Sequence, residues 1–220
     1  MRQVTDNVAH DLRRPLARVR NRIEVTLMEK RDSKEYRLAL EETLEDANEL
    51  IQTFNALLEI AQAEAGSFRG EWKVVDLSVL LEELGGLYLD EAEVRHKRFE
   101  LQVDANLKIT GNRHLLAQAI SNLLDNAFKY TPDGGIIRLQ AGMQVGRPFL
   151  SVSDNGPGID AEQRDRVFER FVRLESARST PGNGLALSLV KAVADLHQAD
   201  LQLEDNQPGL RVVLRFNRSA

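Results

Sequence analysis

Two apolar stripes constrain this chain before anything else does. Val4, Val8, Leu12, Leu16, Val19, Ile23 and Leu27 recur three or four residues apart, which places them on one face of a helix. The polar stretch Arg31-Asp32-Ser33-Lys34 interrupts the pattern. A second stripe follows through Leu38, Leu44, Ala47, Ile51, Phe54, Leu58 and Ala61. Two long helices joined by a short polar turn form an antiparallel hairpin. A hairpin alone buries too little surface to be stable, so a second copy is expected to complete a four-helix bundle. The chain is therefore expected to be a homodimer.

Ala65-Gly66-Ser67-Phe68-Arg69-Gly70 ends the helical pattern and reads as a connector. The expected division is a helical unit over 1–65, a linker over 66–73 and a mixed unit over 74–220. In the mixed unit, Leu77 to about Val94, Asn112–Phe128 and Leu185–His197 read as helices. Phe99, Leu101 and Val103 alternate as a half-buried strand does. Further strands are expected at Leu107–Thr110, Ile136–Ala141, Phe149–Asp154 and Asp200–Glu204. A last one carries Leu210, Val212, Leu214 and Phe216, after the turn Asn206-Gln207-Pro208-Gly209. This order fits an α/β sandwich, a sheet with helices on one face, behind the hairpin: an α+β chain.

Composition narrows the function classes. The net charge of -5 gives no reason to expect a nucleic-acid partner. Cysteine is absent, which excludes disulfide scaffolds and thiolate metal sites. No apolar run approaches the ~18 residues of a membrane helix, and no signal peptide is evident at Met1. The fragment is expected to make no membrane contact.

Four segments carry residues suited to chemistry. In His10-Asp11-Leu12-Arg13-Arg14-Pro15-Leu16 a histidine has a carboxylate beside it and a helix-bending proline one turn on. Neutral imidazole is a nucleophile near its ordinary pKa of about 6.5, and an acceptor on one ring nitrogen leaves the other free to attack. A surface histidine on a bundle is the bland alternative. In the helix through Asn122 and Asn126 both amides share one face, continued by Lys129 and Tyr130. An amide oxygen can ligate Mg²⁺ while a lysine meets phosphate, although a solvated polar face has the same pattern. Asp154-Asn155-Gly156-Pro157-Gly158 offers a carboxylate acceptor for an exocyclic amine, or simply a turn. Pro181-Gly182-Asn183-Gly184-Leu185 opens a helix, where backbone donors meet anions. Phe168 and Phe171 lie between the two loops.

In this order and spacing the segments resemble the sensor histidine kinases of two-component signalling over nearly the whole chain. His10 to Leu16 resembles the family's phosphoacceptor box. Residues 122–131 resemble its N box, 154–158 and 182–187 its two glycine boxes, and Phe168-Glu-Arg-Phe171 its phenylalanine box. The resemblance implies a dimerisation and phosphotransfer hairpin followed by a Bergerat-type ATP-binding domain. It implies autophosphorylation of His10 from ATP, with Asp11 as general base, and transfer to an aspartate of a response regulator receiver domain. Asn126 would ligate Mg²⁺ with Asn122 beside it, Lys129 and Tyr130 would line the nucleotide site, and Asp154 would read adenine. Gly156, Gly158, Gly182, Gly184 and Leu185 would shape the loops, and Arg173 and Arg178 would meet the phosphate tail. The fragment would be the cytoplasmic part of an inner-membrane sensor.

Three residues depart from the family pattern. Ala186 stands where another glycine is common, Asn183 is a polar insertion, and Arg14 replaces a Thr or Asn. Thr or Asn can accept a hydrogen bond from an attacking water; Arg14 has donors only, so weak phosphatase activity is expected. A gyrase-like ATPase would place a glutamate general base where Asn122 stands. A non-catalytic dimer would have no use for His10, Asn126, Lys129 and Asp154 together.

Overall fold

The structure is a computed structural model that describes residues 16–17, 19–28, 32–64, 72–174 and 184–217. Residues 16–17 and 19–28 are helical (α1 for the stretch 19–28), and α2 spans Ser33–Glu64. Asp32 and Glu35 start α2 reciprocally. Asp32 Oδ1 accepts from the Glu35 N–H at 2.8 Å, and Glu35 Oε2 accepts from the Asp32 N–H at 3.1 Å. Arg22 of α1 then clamps the hairpin, reaching Glu42 at 2.7 Å and Asp46 at 3.0 Å on α2.

The second stripe read from the sequence is largely uncovered in a single chain. Leu44, Ile51, Phe54 and Leu58 are exposed, as are Ile23 and Leu27 of α1. The other side of α2 is covered instead. Leu57 and Ile60 are fully buried and join the same core as Leu185, Leu189 and Val190 at the other end of the chain.

The mixed unit begins with β1 (Lys73–Asp76), which pairs antiparallel with β3 (Lys108–Gly111) in a two-stranded ribbon. The main sheet has five strands in the order β2-β4-β5-β7-β6: Arg98–Val103, Ile136–Gln144, Arg147–Asp154, Leu210–Arg215 and Asp200–Asp205. β2 and β4 are parallel and the other pairs antiparallel. Period-two alternation sets the register. Ile137, Leu139, Leu150, Val152, Val212 and Leu214 point to one face and are buried there.

Three helices cover that face: α3 (Leu77–Val94), α4 (Arg113–Tyr130) and α5 (Ala186–Leu196). Asp76 caps α3 by accepting from the Val79 N–H, and Asn112 caps α4 by accepting from the Leu115 N–H, both at 3.1 Å. Leu116, Ile120, Leu123 and Ala127 turn α4 into the core as their spacing predicts. Tyr88, Phe99 and Phe128 pack as a trio of tilted rings with centroids 5.3–6.5 Å apart. The opposite face of the sheet carries an ion-pair ladder instead of a layer. Glu100 pairs with Arg98 and Arg138, and Glu204 pairs with Arg211 and Arg215.

The described helices and long strands lie where the sequence predicts them, and the helical hairpin followed by a helix-covered sheet is the expected architecture; Val4, Val8 and Leu12 of the first stripe lie outside the described residues. β1 is the difference: the sequence predicts no strand over Lys73–Asp76, and its first residue, Lys73, falls in the stretch assigned to the linker.

Candidate nucleotide site

α4 presents Asn122, Asn126, Lys129 and Tyr130 along one side, all half-buried and all on the wall of a cavity of about 1030 Å³. The apolar floor is built from the same core residues that hold α4 to the sheet: Leu123, Ala127, Val152, Leu189 and Val212. Such a floor accepts a flat, weakly polar group, while the amides and the lysine leave a polar end for a charged one. Lys129 Nζ lies 4.8 Å from the centre of the Tyr130 ring. That places a cation and an aromatic side by side at the last turn of α4.

Two other side chains fix α4 from outside the cavity. The Tyr88 hydroxyl donates to Asp125 Oδ1 at 2.6 Å, and Asp125 is on the wall between the two asparagines. Burial, and then the bond to Asp125, pushes the Tyr88 phenol well above its ordinary range, so it stays a donor. Lys97 reaches the last turn of the helix, donating to Phe128 O at 2.5 Å and Thr131 O at 2.6 Å. A cation on these carbonyls, which flank Lys129 and Tyr130 in the chain, complements the negative end of the helix.

Asp154 ends β5, is buried and lines the same cavity. Its Oδ1 accepts from the Gly156 N–H at 2.8 Å and the Leu210 N–H at 3.4 Å, while its carbonyl accepts from Asn206 Nδ2 at 2.7 Å. Burial raises its pKa above the usual carboxylate range, and the two backbone donors oppose that rise. Asn155 locks the turn by continuing the β4–β5 pairing: its Oδ1 accepts from the Ile136 N–H at 2.7 Å. The carboxyl is thus aimed by the loop after it, a fixed acceptor in an apolar pocket.

Of the loop glycines, Gly158 and Gly184 reach the wall, together with Leu185 at the start of α5. Gly156 does not line the cavity. It is buried, and it acts through the N–H that holds Asp154. Gly184 accepts, through its carbonyl, from the Phe171 N–H at 3.0 Å. Its φ of +70°, with Phe171 backbone 2.9 Å from where a Cβ would sit, admits no side chain without strain. Phe171 itself has a φ of +61° and packs on the core; Phe168 is half-buried. Arg173 is on the wall. His10, Asp11, Arg14, Arg178, Gly182 and Asn183 lie outside the described residues.

Sequence reasoning missed one wall entirely. Glu45, Asp46 and Asn55 of α2 also line the cavity. Helical periodicity turns Glu45 and Asp46 away from the apolar stripe and sets Asn55 at its edge, but it does not show that the far end of the chain folds against them. It also missed Lys97, Asn206 and Leu210, whose signal is a backbone contact with no side-chain motif. Among the described residues no three His, Cys, Asp or Glu side chains cluster as a metal site. A hard cation would therefore take few ligands from the protein, which fits an amide such as Asn126 supplementing phosphate oxygens.

With that geometry in hand, known proteins give context. Residues 1–66 match the family described as His Kinase A (phospho-acceptor) domain. Residues 111–220 match Histidine kinase-, DNA gyrase B-, and HSP90-like ATPase. The phosphate regulon sensor protein PhoR of Pseudomonas aeruginosa is 34% identical over 200 residues, covering 90% of this chain and 45% of PhoR. Among solved structures, the Acinetobacter baumannii histidine kinase AdeS superposes with a TM-score of 0.75 at 19% identity, over 96% of this chain and 98% of that one. The histidine kinase ThkA, solved in complex with the response regulator protein TrrA, gives 0.72 at 20% identity over 99% of this chain and 61% of that one. The chain spans less than half the length of the curated relatives first in rank.

Proposed function

Since this chain belongs to the sensor histidine kinases of two-component signalling, as part of their cytoplasmic core, we propose that it transfers phosphate from ATP to His10 and from there to an aspartate of a response regulator. The observation that carries the reading is α4. Its two amides and one lysine line a cavity that the buried Asp154 also lines. That is an acceptor for an exocyclic amine at one end and neutral or cationic groups for a polyphosphate at the other.

In this reading Asp154 accepts from the adenine amine, and the apolar floor takes the purine. Asn122, Asn126 and Lys129 hold the phosphates, with Arg173 and Arg178 near the tail. Tyr130, Gly158, Gly182, Gly184 and Leu185 shape the cleft around them. Mg²⁺, when bound at Asn126, neutralises phosphate charge. A ring nitrogen of His10 attacks the terminal phosphorus. The new N–P bond forms as the bond to the bridging oxygen breaks, ADP leaves, and Asp11 takes the proton from the other ring nitrogen. The N–P bond then passes its phosphoryl group to a carboxylate of the receiver domain.

The chain works as a homodimer in this reading, because the exposed leucines of α1 and α2 need a second hairpin to cover them. The units remain 1–65 for dimerisation and phosphotransfer, 66–73 as linker and 74–220 for ATP binding. No helix among the described residues is long and apolar enough to cross a membrane. In this reading the chain lies on the cytoplasmic side of an inner-membrane sensor.

Incubation with γ-labelled ATP tests the proposal. Label should appear on the chain, be lost in acid and survive base, and be absent from His10→Ala while nucleotide binding remains. Acid-stable label, or label on His10→Ala, overturns it.

A further inference from the structure

Trp72 is the chain's single tryptophan and the first described residue after the segment that leaves the hairpin. Its ring stacks on His197, with centroids 4.6 Å apart and planes 30° from parallel. His197 is itself fully engaged. Its Nε2 lies 3.0 Å from the Asn112 backbone nitrogen, which can only donate, so Nε2 is the acceptor. Nδ1 therefore carries the proton and donates to Val193 O at 2.7 Å. Burial lowers the His197 pKa, which keeps the ring in this neutral tautomer.

The two bonds join α4 and α5, two helices that pack on each other and both line the cavity further along. Asn112 is the N-cap of α4, and Val193 lies in the last turn of α5. The space for the ring is made by Gly111, where a Cβ would meet His197 Cδ2 at 2.5 Å. Gly111 pairs with Lys73, the residue after Trp72, so the ribbon and the ring are held as one joint.

From this arrangement we propose that Trp72 and His197 form a positioning joint. Through it, the chain arriving from the hairpin sets the spacing of α4 and α5, and with it nucleotide affinity. The proposal rests on the nucleotide reading of the cavity. Coupling of this kind is reciprocal: if Trp72 biases the cavity, a bound nucleotide must alter the surroundings of Trp72.

The test uses the whole chain and Mg²⁺ with a non-hydrolysable ATP analogue, with binding followed by calorimetry and by tryptophan emission. The emission of Trp72 is expected to change and to saturate together with the heat. His197→Phe keeps a ring against Trp72 but removes both hydrogen bonds, so the analogue should bind more weakly, as in Trp72→Ala, with the emission change lost. Trp72→Ala should bind about three- to tenfold more weakly, the size a single aromatic pair supplies, and Trp72→Phe should restore affinity. A merely structural role would lower the melting temperature without making Trp72 emission follow the nucleotide. Calorimetric binding with unchanged emission, or a folded Trp72→Ala chain of undiminished affinity, overturns the joint alone. An unmutated chain that binds no analogue overturns the nucleotide reading and the joint with it.

Discussion

Tyr88 and Asp125, on neighbouring helices, meet through a hydroxyl–carboxylate bond of 2.6 Å that fixes α4 against α3. The same hydroxyl lies 3.2 Å from Ser121 O, so it sits over the turn that begins the asparagine face. Tyr88→Phe keeps the aromatic packing and deletes only the donor. It should cost about 1.5–3 kcal/mol, as expected for a hydrogen bond to a charged group. Urea denaturation of the two chains would show it as a lower midpoint with an unchanged slope.

Asp154 sets function against stability. Its raised pKa means that the unfolded chain releases this proton first as pH rises through the interval above about 3.9. The folded state then binds more protons than the unfolded one, so this group lowers stability toward neutral pH and restores it on acidification. Asp154→Asn removes the ionisation, so the melting temperature at neutral pH should rise while nucleotide affinity falls. Asp154→Ala should lose about 1.5–3 kcal/mol of binding, roughly ten- to a hundredfold. Calorimetry showing wild-type affinity in a folded Asp154→Ala chain would remove Asp154 as the adenine reader.

Lys97 makes no contact with the cavity, yet it closes the last turn of the helix that does. Lys97→Met keeps the stem and removes the charge, leaving Phe128 O and Thr131 O without their donor. We expect a loss of about 1–2 kcal/mol in stability. Amide exchange should rise first at residues 128–131, and uniform exchange along α4 would argue against a local cap.

Dimerisation should depend on the uncovered face of the hairpin. Leu44→Arg combined with Ile51→Arg places charge in the expected bundle seam without touching Leu57 or Ile60. Sedimentation should then show a monomer with an intact ATP-binding domain. A dimer that survives both changes would place the interface elsewhere.

Arg14 gives a prediction from sequence alone. With a phosphorylated response regulator as substrate and ADP present, Arg14→Thr should speed dephosphorylation, because a hydroxyl can accept from water where a guanidinium cannot. Rapid stripping by the unmutated chain, with no change in Arg14→Thr, would discard this expectation.

What the sequence discloses here follows the range of the interaction. α4 is legible twice over, since Leu116, Ile120, Leu123 and Ala127 mark the buried face and the asparagines mark the other. Both signals lie within one helix. β1 was not legible, because four residues carry little periodicity and its partner β3 comes 35 residues later, counted from Lys73 to Lys108. Glu45, Asp46 and Asn55 were hidden for a similar reason. They reach the cavity through the packing of Leu57 and Ile60 against α5, a contact across most of the chain. The part of Gly156 was not legible either, because its N–H acts on the carboxylate of the neighbouring Asp154.

The open face of the sheet bears on how two copies share a small volume. A bundle that tethers two ATP-binding domains raises their concentration around each other far above that in solution. An apolar sheet face at such closeness would stack on its twin. Here Arg98, Glu100 and Arg138 on one flank and Glu204, Arg211 and Arg215 on the other keep that surface hydrated. In the proposed homodimer, mutual adhesion would have to strip water from six charged side chains, which would keep the two domains separate neighbours, each free to meet a hairpin.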